Sequence, residues 1–246
     1  MDDLGKVLGK GAEELGVNLT PFQKEQFFLY LEILQEWNRK INLTATKEAK
    51  EIIIKHFLDS LTCRNLIASR LANGQAFKKQ KAIDLGSGAG FPGIPLKIAL
   101  PSLELTLLDS LKKRTHFLKH LSQNLALKDV EIIEGRAEDC GRGKEFREKF
   151  DLVLSRAVAK LNVLVELGLP FLKLGGTFLA QKGPNVGEEA KEALKALDLL
   201  GGRVKEIRKV KLPFLNQARS LVIIEKERPT PEKYPRRAGI PQKRPL

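Results

Sequence analysis

Ile83-Asp84-Leu85-Gly86-Ser87-Gly88-Ala89-Gly90 decides how this chain is read. Lys81–Leu85 is a short, mainly apolar strand candidate. Three alternate glycines follow, and helical spacing then runs through Ile98. Glycine permits positive φ and lets a backbone approach a ligand closely. A glycine loop at the carboxyl end of a strand is where open α/β sheets bind ligands. About 25 residues after Asp84, Asp109 closes a second strand candidate, Leu103–Asp109. A carboxylate there is placed to accept both hydroxyl protons of a ribose.

Outward from this loop the pattern stays regular. Lys112–Leu125 reads as a helix, Val130–Glu134 as a third strand and Asp151–Ser155 as a fourth, with charged residues 142–149 between the last two. A helix around Leu161–Leu172, a strand Gly175–Gln181 and a helix over about 187–200 continue the alternation. Arg203–Lys211 and Arg219–Lys226 then follow as two consecutive strands joined through Pro213. Strand–helix alternation predicts an α/β fold with a mostly parallel sheet, and the last pair predicts an antiparallel closure of one edge. Residues 1–75 read instead as a helical extension. Thr20-Pro21 is an N-cap followed by proline at the first helical position, and Phe27, Leu31, Leu34 and Trp37 repeat near helical spacing. Asn42–Thr46 breaks that pattern, and residues 48–72, with Ile52, His56, Leu58 and Leu61, resume it. Gly74 and lysines 78, 79 and 81 look like a link into the core, which spans 76–227. The tail 228–246 is rich in proline and basic residues. Its composition predicts no core element, only a segment lying over the surface or disordered.

With 246 residues the chain can bury a sizeable core. Its two cysteines, Cys63 and Cys140, form no CxxC pair, and its three histidines lack metal-ligand spacing, so no disulfide framework and no metal site is expected. The first residues lack the basic start and apolar run of a signal peptide, and no apolar stretch suits a bilayer, which points to a cytoplasmic protein with no membrane. The net charge of +13 attracts a polyanion, with nucleic acid the first candidate; a lysine-rich solubilising surface explains it equally well. Aromatic residues make up only 6%, which argues against a large base-stacking platform.

Two nucleotide cofactors fit the loop. Gly88, Gly90 and Gly93 match GxGxxG, so an NAD(P)-dependent Rossmann oxidoreductase stays open. Three features favour S-adenosylmethionine (SAM). Asp84 sits just before the glycines, where a negative charge suits a sulfonium and an amino group and disfavours a pyrophosphate. The chain ends in a strand pair rather than a second mononucleotide-binding half. No Walker A lysine is present.

The residues also carry a more specific resemblance. Phe91-Pro92-Gly93-Ile94-Pro95-Leu96 extends the glycine loop, and Tyr234-Pro235-Arg236-Arg237 with Gly239-Ile240-Pro241 marks the tail. Asn42-Leu43-Thr44, His56 with Asp59-Ser60-Leu61, Leu108-Asp109-Ser110, Gly135-Arg136-Ala137-Glu138, Ser155-Arg156-Ala157 and Gln181-Lys182-Gly183 lie between. With these segments the chain resembles the bacterial ribosomal RNA small subunit methyltransferase G family (RsmG, or GidB) over nearly its whole length. That resemblance implies the Rossmann-like sheet of SAM-dependent methyltransferases. It implies methyl transfer from SAM to N7 of a guanosine in 16S rRNA, and a partner that is 16S rRNA or the small ribosomal subunit. It places the cofactor at Gly86 and Phe91, at Ala137-Glu138 and at Arg156.

The residues themselves add Asp84, Gly88, Gly90 and Asp109 to the expected cofactor site. Arg156, at the carboxyl end of the fourth strand, is expected to position cofactor or target; its alternative is a salt bridge holding the loop. Guanine N7 has a free lone pair and no proton, so no general base is needed. Consistently, neither cysteine follows a proline, and the fourth strand lacks the Asn/Asp-Pro-Pro-aromatic signature of exocyclic amine methyltransferases. Lys113, Arg114, Lys182, Arg236 and Arg237 are the candidate RNA contacts, against the ordinary reading of each as solvated charge. Trp37, Asn38, Asn42, Thr44, His56 and Asp59 are read as structural first. The working unit is expected to be a monomer. A non-catalytic RNA-binding assembly factor is the third functional alternative.

Overall fold

The computed structural model describes residues 2–72 and 80–246. The expected link at Gly74, Lys78 and Lys79, and the boundary between 75 and 76, lie outside the described residues. The extension begins with α1 (Asp2–Glu14) and α2 (Pro21–Ile41). Thr20 caps α2 in a reciprocal box with Gln23, Pro21 opens it, and Asn42 ends it at φ 49°. Asparagine tolerates this left-handed position where bulkier residues strain. The helical pattern expected over residues 48–72 is present but interrupted. α3 (Ala49–Ile52) passes into a π-helical turn, Ile53–Leu58, then α4 (Asp59–Leu61) and α5 (Arg64–Ala72). A π turn inserts an extra residue and re-aims the side chains around it; here those include His56 and Asp59.

The core alternates as expected. β1 (Lys81–Leu85), α6 (Gly93–Ala99), β2 (Glu104–Asp109), α7 (Lys112–Asn124), β3 (Val130–Glu134), α8 (Ala137–Arg142), β4 (Phe150–Arg156) and α9 (Leu161–Gly168) lead to β5 (Leu172–Lys182). The single helix expected over 187–200 is two, α10 (Gly187–Glu192) and α11 (Leu194–Leu200). β6 (Gly202–Lys211) and β7 (Ala218–Lys226) form the closing hairpin. The sheet order is β3-β2-β1-β4-β5-β7-β6, parallel from β3 to β5 and antiparallel across β5-β7-β6. The chain returns through its second hairpin strand, so β7 is interior and β6 is the edge. The burial follows: Ser220–Ile224 is continuously buried, while β6 is mostly exposed or half-buried.

Period-two alternation splits the sheet into two apolar faces. Ala82, Leu105, Leu107, Leu152, Leu154 and Leu179 pack with Phe27, Tyr30, Leu34, Phe57 and Phe117. Ile83, Leu85, Val153, Phe178 and Ala180 pack on the other face with Leu164, Leu197 and Tyr234. The extension therefore shares one continuous core with the sheet. The tail is likewise not a loose strand: Tyr234 is buried in the second core, and α12 (Ile240–Lys243) ends near the sheet's carboxyl edge. Composition leaves 228–246 either over the surface or disordered and without a core element; Tyr234 instead enters the second core, and polar anchors hold the segment. Strand order reverses between β1 and β4, and this switch point opens a crevice beyond their carboxyl ends. No described helix is long and apolar enough to cross a membrane.

Candidate active site

The glycine loop folds tightly beyond β1. Gly86 and Gly90 adopt φ of 67° and 92°. A Cβ on Gly86 would meet Val158 Cγ2 at 2.8 Å, and one on Gly90 would lie 2.9 Å from Tyr30 Oη. Both positions need glycine for conformation and for space. Gly88 also has positive φ, at 58°, but a Cβ there would meet nothing closer than 3.8 Å.

The two acids hold this loop. Asp84 is fully buried. Its Oδ2 accepts from the Gly93 N–H at 2.9 Å, while its Oδ1 has no hydrogen-bond partner. Burial raises its pKa to about 7. Asp109 Oδ2 accepts from the Gly88 N–H at 2.9 Å and Oδ1 from the Leu111 N–H at 2.9 Å. Arg114 Nη1 stands 3.5 Å from the same Oδ2. Asp109 thus ties the end of β2 to the glycine loop and faces a cavity of about 270 Å³. Gly86, Ser110, Ala137, Glu138 and Val158 also line that cavity.

Arg156 leaves β4 on the face shared with Asp84, and the extension receives it. Its Nη1 donates to Asp59 Oδ2 at 3.0 Å and to the Lys55 carbonyl at 3.2 Å. Its Nη2 lies 3.1 Å from His56 Nδ1. A guanidinium only donates, so Nδ1 accepts and the ring proton sits on Nε2. That N–H then donates to Thr44 Oγ1 at 2.9 Å. Desolvation, reinforced by the Arg156 charge, lowers the His56 pKa to about 3, which keeps the ring neutral. Asn38 completes the line through two hydrogen bonds with the Thr44 backbone, of 2.8 and 2.9 Å. Asp59 also faces Arg219 at 3.5 Å, and Gln181 Nε2 donates to the Asp59 carbonyl at 2.7 Å.

Phe91 is buried at this junction rather than lining the cavity. His56 and Tyr30 stack against it, with centroids 4.9 and 5.5 Å away, and Arg156 lies 4.8 Å from its centre. The Tyr30 hydroxyl donates to the Ala89 carbonyl inside the glycine loop. Trp37 lies apart, packed on Phe117 and His120.

The expected residues therefore fall into three groups. Gly86, Asp109, Ala137 and Glu138 share the cavity; Gly88 is tied to it through Asp109. Asp84, Gly90, Phe91 and Arg156 form the junction behind it. The expected RNA contacts are dispersed. Lys113 and Arg237 are exposed, and Arg114 lies beside Asp109. Lys182 Nζ donates to Glu189 at 2.6 Å, and Arg236 to Glu166 at 2.5 Å. Glu138 Oε1 accepts from the Gly239 N–H at 2.8 Å. Tyr30, Arg219 and Gln242 escape sequence reading. Only Tyr30 carries a signal, a hydroxyl within an apolar stripe that needs a partner once buried.

These residues fit a cationic adenosyl ligand. The buried Asp84 Oδ1 has no hydrogen-bond partner, and a cationic group beside it would favour the ionised carboxylate. Asp109 keeps lone pairs toward the cavity, and the glycine at 86 leaves no side chain in the way.

The chain is similar to known proteins over its whole length. A relative from Alkaliphilus oremlandii, named ribosomal RNA small subunit methyltransferase G, is 50% identical over 244 residues, covering 99% of each chain. A relative of the same name from Desulforamulus reducens is 50% identical over 246 residues, covering 100% of each. Among solved structures, a branched-chain polyamine synthase mutein from Thermus thermophilus aligns with a TM-score of 0.54 over 82% of this chain and 64% of its own. At 13% identity that likeness speaks for the fold alone. The family model described as rRNA small subunit methyltransferase G matches residues 23–222, and the chain belongs to that family.

Proposed function

We propose that this chain transfers a methyl group from SAM to N7 of a guanosine in 16S rRNA, as a cytoplasmic monomer acting on the rRNA or the small subunit. The observation that carries this reading is the acid pair around one glycine loop. Asp109 faces the cavity with its carboxylate already anchored, and Asp84 lies behind it with one buried oxygen unpaired. Among the described residues the sheet continues past β5 as an antiparallel hairpin and not as further parallel strands, which disfavours a dinucleotide oxidoreductase.

Bound SAM supplies an electrophilic methyl group on a sulfonium. Asp109 holds the ribose hydroxyls, and the backbone around Ala137 and Glu138 borders the adenine. Asp84 Oδ1 takes the amino group, directly or through water. Arg156, at the end of β4, and Phe91, against which its guanidinium lies, shape the acceptor side. Arg156 is fixed by Asp59 and His56, so it presents one orientation. Guanine N7 attacks through its own lone pair, so the chain needs to hold the base in line and has no proton to remove. Lys113 and Arg237, both exposed, are the phosphate contacts this reading favours; Arg114, Lys182 and Arg236 also serve loop or tail structure.

Labelled SAM incubated with the protein and small subunits, or 16S rRNA, lacking the modification tests the reading. A single N7-methylguanosine, mapped to one nucleotide, is expected. Label on protein or lipid, or no label, overturns it.

A further inference from the structure

We propose that the C-terminal tail completes the cofactor site, with Gln242 contacting the adenine edge and Glu138 acting as a positioning residue that seats the tail. This inference rests on the SAM reading above. It starts from the path of the cavity. Gly86, Asp109 and Ala137-Glu138 follow β1, β2 and β3, which are successive neighbours in the sheet. A ligand whose ribose sits on Asp109 and whose amino acid lies toward Asp84 must direct its adenine toward Glu138. The wall at that end includes Leu167 and Gln242.

Gln242 stands on α12, exposed at the cavity rim. A glutamine amide offers one donor and one acceptor side by side. Adenine presents the matching pair, an N6 amino group beside a ring nitrogen. The carboxylate of Glu138, which lines the same end of the cavity, is engaged: it accepts from the Gly239 N–H at 2.8 Å. Gly239 has φ of 81°, and a Cβ there would meet nothing within 4 Å, so its requirement is conformational.

The tail is seated firmly enough to aim a side chain. Arg236 forms a two-pronged pair with Glu166, which is fully buried, at 2.5 and 2.8 Å. Arg147 donates to the carbonyls of Thr230 at 2.6 Å and Tyr234 at 2.8 Å. These anchors precede Gly239 in the chain, so removing the Gln242 side chain leaves the seat intact.

Calorimetric binding of S-adenosylhomocysteine and its N6,N6-dimethyl analogue to the full chain tests this. Gln242→Ala is expected to weaken S-adenosylhomocysteine about tenfold, the scale of a lost hydrogen-bonded contact. The penalty for dimethylation should shrink by a similar factor in the variant, which a purely structural role would not produce. Glu138→Ala is expected to weaken binding as well, and the double variant to add little, because both act through one contact. Unchanged affinity in Gln242→Ala, or an unchanged dimethylation penalty, overturns the adenine contact. Fully additive losses overturn the positioning role of Glu138. Wild-type protein that binds neither SAM nor S-adenosylhomocysteine overturns the cofactor reading itself.

Discussion

The N-terminal extension and the C-terminal tail reach the same end of the sheet from different faces, and different physics holds them. The extension packs Phe27, Tyr30, Leu34 and Phe57 into one core with the strands. Its polar line through Thr44, His56 and Asp59 is laid over that core. The tail buries only Tyr234, Pro235, Pro241 and part of Leu246 among its apolar residues and relies on directed polar anchors: the Arg236–Glu166 pair, the Arg147 clasp and the Glu138–Gly239 bond. Apolar packing fixes the extension as part of the fold. Hydrogen-bond geometry fixes the tail as an attachment to it. Both ends still touch the site, one at Phe91 and Arg156, the other at Glu138 and Gln242.

The largest expected effect belongs to the extension. Phe57 is fully buried, with ring centroids 5.1 Å from Phe27 and 5.0 Å from Tyr30. Phe57→Ala should cost about 3–5 kcal/mol of global stability, read from denaturant midpoints of the whole molecule. A loss confined to the first 72 residues, with an unchanged sheet, would show that the extension is not part of one core. Arg236→Ala comes next. It leaves the buried Glu166 carboxylate without its guanidinium, a loss of about 3 kcal/mol. Limited proteolysis should then cut within 228–246 while the sheet stays resistant. Glu166→Gln should be milder, because a neutral amide needs no counter-charge. If the core unfolds together with the tail, the distinction between the two ends fails.

Arg156→Ala probes the junction itself. Loss of one fixed, charged donor at the acceptor side should lower kcat about a hundredfold, with a smaller change in the affinity for S-adenosylhomocysteine. Arg156→Lys should recover little, since one ammonium cannot meet Asp59, His56 and the Lys55 carbonyl together. Turnover within a few-fold of wild type would reduce Arg156 to a strut between the extension and β4.

The same contrast explains what is legible in the sequence. Ile83–Gly90 and Asp109 are readable because strand, turn and acid are local, and β1 and β2 are adjacent in both sequence and sheet. The closing hairpin is readable from two consecutive strand candidates, Arg203–Lys211 and Arg219–Lys226, with no helical pattern between them. The receptor for Arg156 is not. Asp59 and His56 lie about a hundred residues away in the chain, and a π turn, which helical spacing does not encode, aims them. The tail is hard to read for a related reason. Basic residues read as solvated because composition does not name their partners. A clue is present in Glu166, a lone acid inside the apolar run Leu161–Gly168. Such an acid, once buried, must find a cation.

A pH dependence that wild type conceals crosses the junction between sheet and extension. In the folded state Asp84 titrates near pH 7, raised by burial from an ordinary 3.8. His56 titrates near 3, lowered by burial and then by Arg156 from an ordinary 6.5. The Asp84 contribution to stability is full below pH 3.8 and is lost as pH rises through 7. The His56 contribution is full above pH 6.5 and is lost as pH falls toward 3. Between about pH 4 and 6.5 the folded chain holds one proton on Asp84 that the unfolded chain has released. Over the same range the unfolded chain holds one on His56 that the folded chain lacks. The two slopes cancel. Asp84→Asn should expose the histidine slope, so that stability relative to wild type rises with pH by up to about 1.4 kcal/mol per unit. His56→Gln should expose the opposite slope, falling as pH rises. Urea midpoints across about pH 4–6.5 measure both. Parallel curves for the two variants would mean that burial does not shift Asp84 and His56 in opposite directions.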